Sequence, residues 1–320
     1  TDQEKTVVVY TSVDDVFARP IAEDFQRQSG IQVQLVPDTE ETKSTGLLNR
    51  LIAEKQRPRA DVFWSGDPVR AAVLKLEGVS APYTSPAAEG LPARFSDPEA
   101  HWTGFSARAR VLIYNRNLVP EHEVPQSVMD LLNPRFKDQA ALANPLFGTT
   151  SMHVAALFEV LGVEMAEDFL RRFIDNGGKI LSSNGEVRRR VSSGEVALGL
   201  TDTDDANVAR IEGAPIGIVF PDQDGMGTLL IPNCVVLIDG GPNPEAGRQF
   251  IDFLLRPQTA EALARSEAAQ IPLRPGVPGP EGNPSIEEIH AMTVDYPNLA
   301  RILQGISKGF LRQWVGRNLG

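Results

Sequence analysis

Thr6-Val7-Val8-Val9-Tyr10, answered a helix-length later by Ile31-Gln32-Val33-Gln34-Leu35-Val36, decides the fold. Both stretches are short, apolar and rich in β-branched residues, so both read as strands. Between them Val16, Phe17, Ile21 and Phe25 share one helical face, and Ser29-Gly30 supplies the stop. Pro20 within that helix predicts a kink or an early start of its main segment. Strand, helix, strand in this order is the signature of a parallel sheet.

The pattern continues outward. Residues 43–57 carry Leu47, Leu48, Leu51 and Ile52 on one side and read as a helix. Arg59 to Trp64 reads as a third strand, and Asp67-Pro68 opens another helix. Ser12 and Asp14 after the first strand, and Ser65, Gly66 and Asp67 after the third, carry polar groups to the same end of the sheet. Residues 79–104 have little period and read as a surface connection. Strands are expected over Arg108–Asn115, Ala140–Ala143, Lys179–Leu181, Gly217–Phe220 and Leu229–Ile238. Helices are expected over Ser127–Leu132, Met152–Leu161, 164–176, Glu186–Ser193, Pro244–Leu255 and Thr259–Ala264. Residues 272–284 read as a Pro-rich linker, and the tail from Ile286 as helical.

Two stretches carry chemistry. Val196 to Leu200 reads as a buried strand that delivers Asp202, Asp204 and Asp205 to its C-terminal end, where open α/β sheets place ligands. Three carboxylates so close repel unless a cation, a donor array or water compensates them. A solvated loop, with Asp204 or Asp205 capping the next helix, is the alternative. The second stretch is Gly148-Thr149-Thr150-Ser151, a turn feeding a helix N-terminus whose free N–H groups and hydroxyls suit an anion, or simply cap the helix.

The formal net charge of −11 over 320 residues argues against nucleic acid or an anionic membrane as partner. The single cysteine, Cys234, sits in an apolar run and reads as a core thiol. His101, His122, His153 and His290 are dispersed and form no nucleophile–base motif; His153 lies just inside the anion-site helix. The triplet Asp222, Asp224, Gly225 lacks the remaining ligands and flanks of a calcium loop. Tyr10, Trp64 and Trp102 sit near strand ends, open to either core packing or ligand contact; Tyr296 is a remote reserve metal ligand. The chain starts at Thr1 without Met and reads as a trimmed mature form.

The order of these elements resembles the extracellular solute-binding proteins of ABC importers, and within them the ferric-ion-binding type of family 1. The residues that carry the resemblance are Val7–Ser12, Phe25–Val33, Ala60–Trp64, Asn144-Pro145 with Gly148-Thr149, the Asn184 turn, Gly194-Glu195 and Phe250–Leu255. It implies an α/β, two-lobe periplasmic-binding-protein fold of type II. Each lobe holds a central, mostly parallel sheet flanked by helices, and crossing strands join the lobes. Residues 1–107 with 231–283 would form one lobe, and 108–230 with 284–320 the other, the solute being held between them. It further implies a periplasmic or extracytoplasmic monomer that serves a permease, binds no nucleic acid, needs no cofactor and is not an enzyme.

Iron-binding relatives hold the ion with adjacent tyrosines, and those places here are Asp204 and Asp205. The histidine some relatives use aligns with Asp14, and a glutamate with Gly66. Relatives cradle a synergistic anion at the places of Gly148, Thr149, Thr150, Ser151 and Asn184. The expectation is therefore a small organic anion, such as a phosphate or phosphonate with hydroxyl or amine groups. It would be held by these donors, with Ser12, Asp14, Ser65, Gly66 and Asp67 opposite and Asp202, Asp204 and Asp205 setting selectivity. The alternatives are a ferric or other hard metal ion with a synergistic anion, through Asp204 and Asp205, and a metal-dependent hydrolase built on Asp202, Asp204 and Asp205.

Overall fold

The computed structural model describes residues 5–38 and 45–319. The chain divides into two compact units, Thr1–Ala107 with Ile231–Glu287 and Arg108–Leu230 with Glu288–Gly320. No helix among the described residues is long and apolar enough to cross a membrane.

The first unit opens with β1 (Thr6–Thr11), α1 (Asp15–Ser29), β2 (Gln32–Pro37), α2 (Gly46–Ala53), β3 (Val62–Ser65), α3 (Pro68–Leu76) and β4 (Ser80–Ala81). β1 lies parallel to both β2 and β3, with Val9 opposite Leu35 on one side and Val62 on the other. The strand–helix–strand opening is thus the parallel unit that the hydrophobic pattern demands. Helix α1 buries Ala18, Ile21, Ala22 and Phe25, a 3–4 spacing, and ends at Gly30 in the left-handed region, whose N–H donates to the Gln26 carbonyl. Pro20 removes one hydrogen bond but α1 runs through it unbroken. The helix expected over 43–57 is shorter: its first two positions lie outside the described residues, and it stops at Ala53.

β5 (Thr103–Asn115) carries the chain from the first unit into the second, five residues longer than its apolar half suggests. There follow β6 (Ala140–Ala143), α4 (Gly148–Leu161), α5 (Val163–Asp175), β7 (Lys179–Leu181), α6 (Asn184–Ser192), β8 (Leu198–Asp202), α7 (Thr203–Ile211) and β9 (Ile216–Val219). β10 (Leu230–Ile238) carries the chain back, antiparallel to β3, and leads to α8 (Pro244–Leu254), α9 (Pro257–Arg265) and β11 (Ile271–Pro272). α10 (Tyr296–Lys308) and α11 (Phe310–Asn318) return to the second unit. The tail is therefore not one helix from Ile286: Asp295 caps α10 by accepting from the Asn298 N–H, and Gly309 separates α10 from α11.

In the second unit β8 pairs parallel with β6 and antiparallel with β5, β6 pairs parallel with β7, and β9 lies antiparallel along β5. Both units thus hold mixed sheets rather than mostly parallel ones. The core of the second unit gathers Leu112, Leu142, Leu157, Phe169, Phe173, Leu198 and Leu200, closed by Leu311 and Trp314 of α11. Helix α4 is buried from Thr149 through Phe158 and packs against α5 and α10. Gly199 permits a close approach. A Cβ there would stand 2.4 Å from Val187 Cγ1, so glycine lets α6 lie directly on β8. That contact brings the first residue of α6, Asn184, beside the last residue of β8, Asp202.

Candidate functional site

The site grows from a strand pair. β5 and β8 run antiparallel with Arg110 directly opposite Asp202. Arg110 is a charged residue with 0% of its side chain exposed, a placement tolerated only when every donor finds a partner. Its Nη1 donates to Asp202 Oδ1 at 2.8 Å, Thr149 Oγ1 at 3.1 Å and Asn184 Oδ1 at 3.2 Å. Its Nη2 donates to Thr150 Oγ1 at 3.1 Å, and its Nε to His153 Nδ1 at 3.4 Å. The second oxygen of Asp202 accepts from the Thr149 hydroxyl at 2.6 Å and from Asn184 Nδ2 at 3.2 Å, with Arg108 Nη1 at 3.6 Å.

Charge states follow from these partners. Burial alone would raise the Asp202 carboxyl, but the Arg110 and Arg108 charges and the donated hydrogen bonds outweigh it and hold the group below the usual carboxylate range. Burial and the neighbouring Arg110 push His153 down to about 3, so the ring is neutral, accepts at Nδ1 and carries its proton on Nε2.

Asp204 and Asp205 follow in the first turn of α7, where the helix dipole favours negative charge. Thr203 Oγ1 ties this turn to β5 by accepting from the Ala109 N–H at 3.1 Å. The Asp205 N–H donates to Asp204 Oδ1 at 3.0 Å, the Thr201 hydroxyl reaches Asp205 Oδ2 at 3.4 Å, and Arg188 Nε lies 3.9 Å from Asp205 Oδ1. Oxygen atoms of Asp202, Asp204 and Asp205 all lie within 4.8 Å of one another. Burial, then Asp202, raises Asp204 to about 6, against the opposing pull of Arg108. Burial, Asp204 and Asp202 together raise Asp205 to about 7. Crowded, poorly compensated carboxylates of this kind take up protons or a hard cation.

The remaining expected site residues sort clearly. Asn184, Thr149 and Thr150 meet at Arg110 and Asp202. Gly148, in the left-handed region, and Ser151 belong to the first turn of α4 rather than to a turn before it; the Ser151 hydroxyl donates to the Gly148 carbonyl at 2.6 Å. Neither Thr nor Ser caps that helix, since its N-cap position is Phe147. Likewise Asp202, not Asp204 or Asp205, stands at the N-cap of α7, and its side chain makes no cap bond because it is spent on Arg110.

Ser12, Asp14, Ser65, Gly66 and Asp67 belong to the first unit. There Ser12 Oγ accepts from the Gly66 N–H at 2.9 Å, Ser65 Oγ donates to the Asp67 carbonyl at 2.6 Å, and Asp67 caps α3 and pairs with Arg70. Asp14 is the N-cap residue of α1, without a side-chain cap bond. Tyr10, Trp64 and Trp102 are core residues, each at most 2% exposed. Tyr296 is buried and donates to the Leu230 carbonyl.

Arg110 and Arg108 escaped the sequence reading. Their signal is an Arg-Ala-Arg alternation at the head of an apolar strand, which sets two guanidinium groups on one face and requires a buried anion there.

The expected phosphate or phosphonate cradle is therefore corrected. Thr149 and Asn184, meant to hold an outside anion, are already turned on an inside one, the Asp202 carboxylate, while Thr150 bonds Asn184 and Arg110. The chain is 27% identical over 311 residues to iron uptake protein A1 of Synechocystis sp., an alignment covering 93% of this chain and 83% of that one. It is 23% identical over 280 residues to the major ferric iron-binding protein of Neisseria meningitidis, covering 85% and 82%. A Trichodesmium protein solved with iron and citrate superposes with a TM-score of 0.84 over 97% of this chain and 99% of that one, at 22% identity, and so shares its fold. The profile of the bacterial extracellular solute-binding proteins matches residues 58–296. The chain belongs to that family, is similar to its ferric-ion-binding members, and is thus a non-catalytic, extracytoplasmic solute-binding component that works with the permease subunits of an ABC importer.

Proposed function

We propose that this protein captures a ferric ion as the cargo of its importer, at the Asp202, Asp204 and Asp205 cluster, with Asp204 and Asp205 as direct ligands. The observation that carries the reading is the approach of three carboxylates to within 4.8 Å of one another. Carboxylate oxygen is a hard donor suited to a small, highly charged cation. The relatives' names, iron uptake and ferric iron-binding proteins, support the same cargo. Arg108 and Arg110 neutralise Asp202, so the charge left to attract a cation is concentrated on Asp204 and Asp205.

The test is uptake by the chelator-stripped protein. Ferric ion is offered as its nitrilotriacetate complex, unbound metal is removed by gel filtration, and protein-bound iron is counted. Stoichiometric iron in the wild type, lost in the Asp204→Asn, Asp205→Asn double variant with unchanged circular dichroism, is the expected result. No retained iron in the wild type, or equal retention by the double variant, overturns the proposal.

A further inference from the structure

We infer that Asp202 is the site's own counter-anion: it permanently fills the donor nest of Arg110, Thr149, Asn184 and Arg108, so that the cation is bound without any exogenous anion. The part concerning the cation rests on the ferric-ion reading above; the part concerning the nest does not.

The argument is one of valence and space. A carboxylate offers two oxygens, and here both are committed. Oδ1 takes the buried guanidinium at 2.8 Å. Oδ2 takes a hydroxyl at 2.6 Å and an amide at 3.2 Å, with Arg108 at 3.6 Å. Asp202 is 2% exposed, whereas Asp204 and Asp205 keep part of their surface open. Within the acidic trio, then, Asp204 and Asp205 keep carboxylate surface open to a metal, whereas Asp202 has both oxygens turned on the nest. The nest itself is a built oxyanion site: two guanidinium groups, a hydroxyl and a carboxamide converge on one carboxylate, and the guanidinium at its centre is fully buried. Bidentate-capable guanidinium with supporting neutral donors is the arrangement that selects carboxylate or another small oxyanion. Covalent attachment of the anion to β8 makes its local concentration permanent, so a free anion has no vacancy to enter. The hydroxyl of Thr150, which accepts from Arg110 and donates to Asn184, braces the nest from behind.

Truncation should turn the fixed anion into an exchangeable one. Asp202→Gly removes the equivalent of an acetate group and leaves Arg110 buried beside a matching space. In the metal-free state, acetate or formate should raise the melting temperature of Asp202→Gly by several degrees and leave the wild type unmoved. A folded variant that ignores both anions overturns the inference. In the second arm, wild-type affinity for ferric ion, read by competition with nitrilotriacetate, should change by less than about twofold when bicarbonate, phosphate or acetate is added, whereas a required anion ligand would change it by about tenfold or more. Such a dependence overturns the inference. If Asp202→Gly folds neither with nor without acetate, the wild-type arm decides alone. If the wild type takes up no iron while acetate still stabilises Asp202→Gly, the cargo assignment fails and the internal-anion assignment stands.

Discussion

Arg110 and Asp202 are opposed residues of two neighbouring strands, and the same register that pairs their backbones joins their side chains at 2.8 Å. The pair is built in two dimensions at once, by the ladder and by the charge. Breaking it leaves one buried ion without its partner. Arg110→Met should therefore lower stability by about 3–5 kcal/mol, the range for removing one member of a buried pair. Chemical denaturation measures it. A loss below about 1 kcal/mol would show the pair to be no stronger than an exposed one.

Asp204 and Asp205 should make the ion-free protein less stable as pH rises. A carboxyl raised to about 6 or about 7 binds its proton more tightly folded than unfolded. Its stabilising contribution is complete below the ordinary carboxylate pKa and disappears as pH climbs through the raised value. Asp205→Asn, which keeps a neutral group of the same shape, should match the wild type near pH 3, below the ordinary carboxylate pKa, and melt higher near pH 8. The difference at pH 8 should be on the order of 2 kcal/mol, discounted from the full shift because Asp205 is partly open. Equal melting temperatures of the two proteins across that range would contradict the raised carboxyls.

How much of this was legible follows from what each stretch packs against. Ala140–Ala143 is a strand at the residues its apolar run marks, because uniform burial is written directly in composition. β8 ends two residues later than its apolar run, since Thr201 and Asp202 are polar residues held in the ladder by β5. Gly148 misled for a backbone reason: it starts α4 from the left-handed region, so a glycine that reads as a turn belongs to the helix. The acidic turn itself was plain in sequence. Its partner was not, because Arg110 lies 92 residues away and only the strand pairing brings it opposite Asp202.

Gly199 should be intolerant of any side chain. Its missing Cβ is the space taken by Val187 and Val191 of α6. Gly199→Ala should cost about 1–3 kcal/mol by overpacking. It should also weaken ion uptake, because α6 can yield only by carrying Asn184 away from Asp202. Melting temperature and iron retention measured together check this. Unchanged values of both would mean that α6 does not bear on β8 as closely as the 2.4 Å approach requires.

Ion uptake should tighten with pH. Asp204 and Asp205 must lose their protons to bind a cation, and their values of about 6 and about 7 fall within the accessible range. Below those values each bound proton costs up to about tenfold in affinity per pH unit. Gallium, a hard trivalent ion without redox chemistry, serves as the probe in calorimetry, with buffers of different ionisation enthalpy reporting the protons released. Affinity independent of pH between 5 and 7, after correction for hydrolysis of the metal, would rule out these carboxyls as ligands.

The iron form should lack the visible charge-transfer band that phenolate ligands give. The chain has four tyrosines, and each is engaged elsewhere. Tyr10 donates to Glu54 and Tyr83 to Asp252; burial, with those carboxylates, pushes both phenols up to about 12, far from the ionised form a metal needs. Tyr296 donates to the Leu230 carbonyl, and Tyr114 packs against the core of the second unit. A carboxylate-held ferric ion absorbs mainly in the ultraviolet, so the loaded protein should be nearly colourless where phenolate-bound iron is strongly coloured. A strong visible band appearing on stoichiometric loading, and persisting in Asp204→Asn, would move the ligands from the aspartates to a tyrosine.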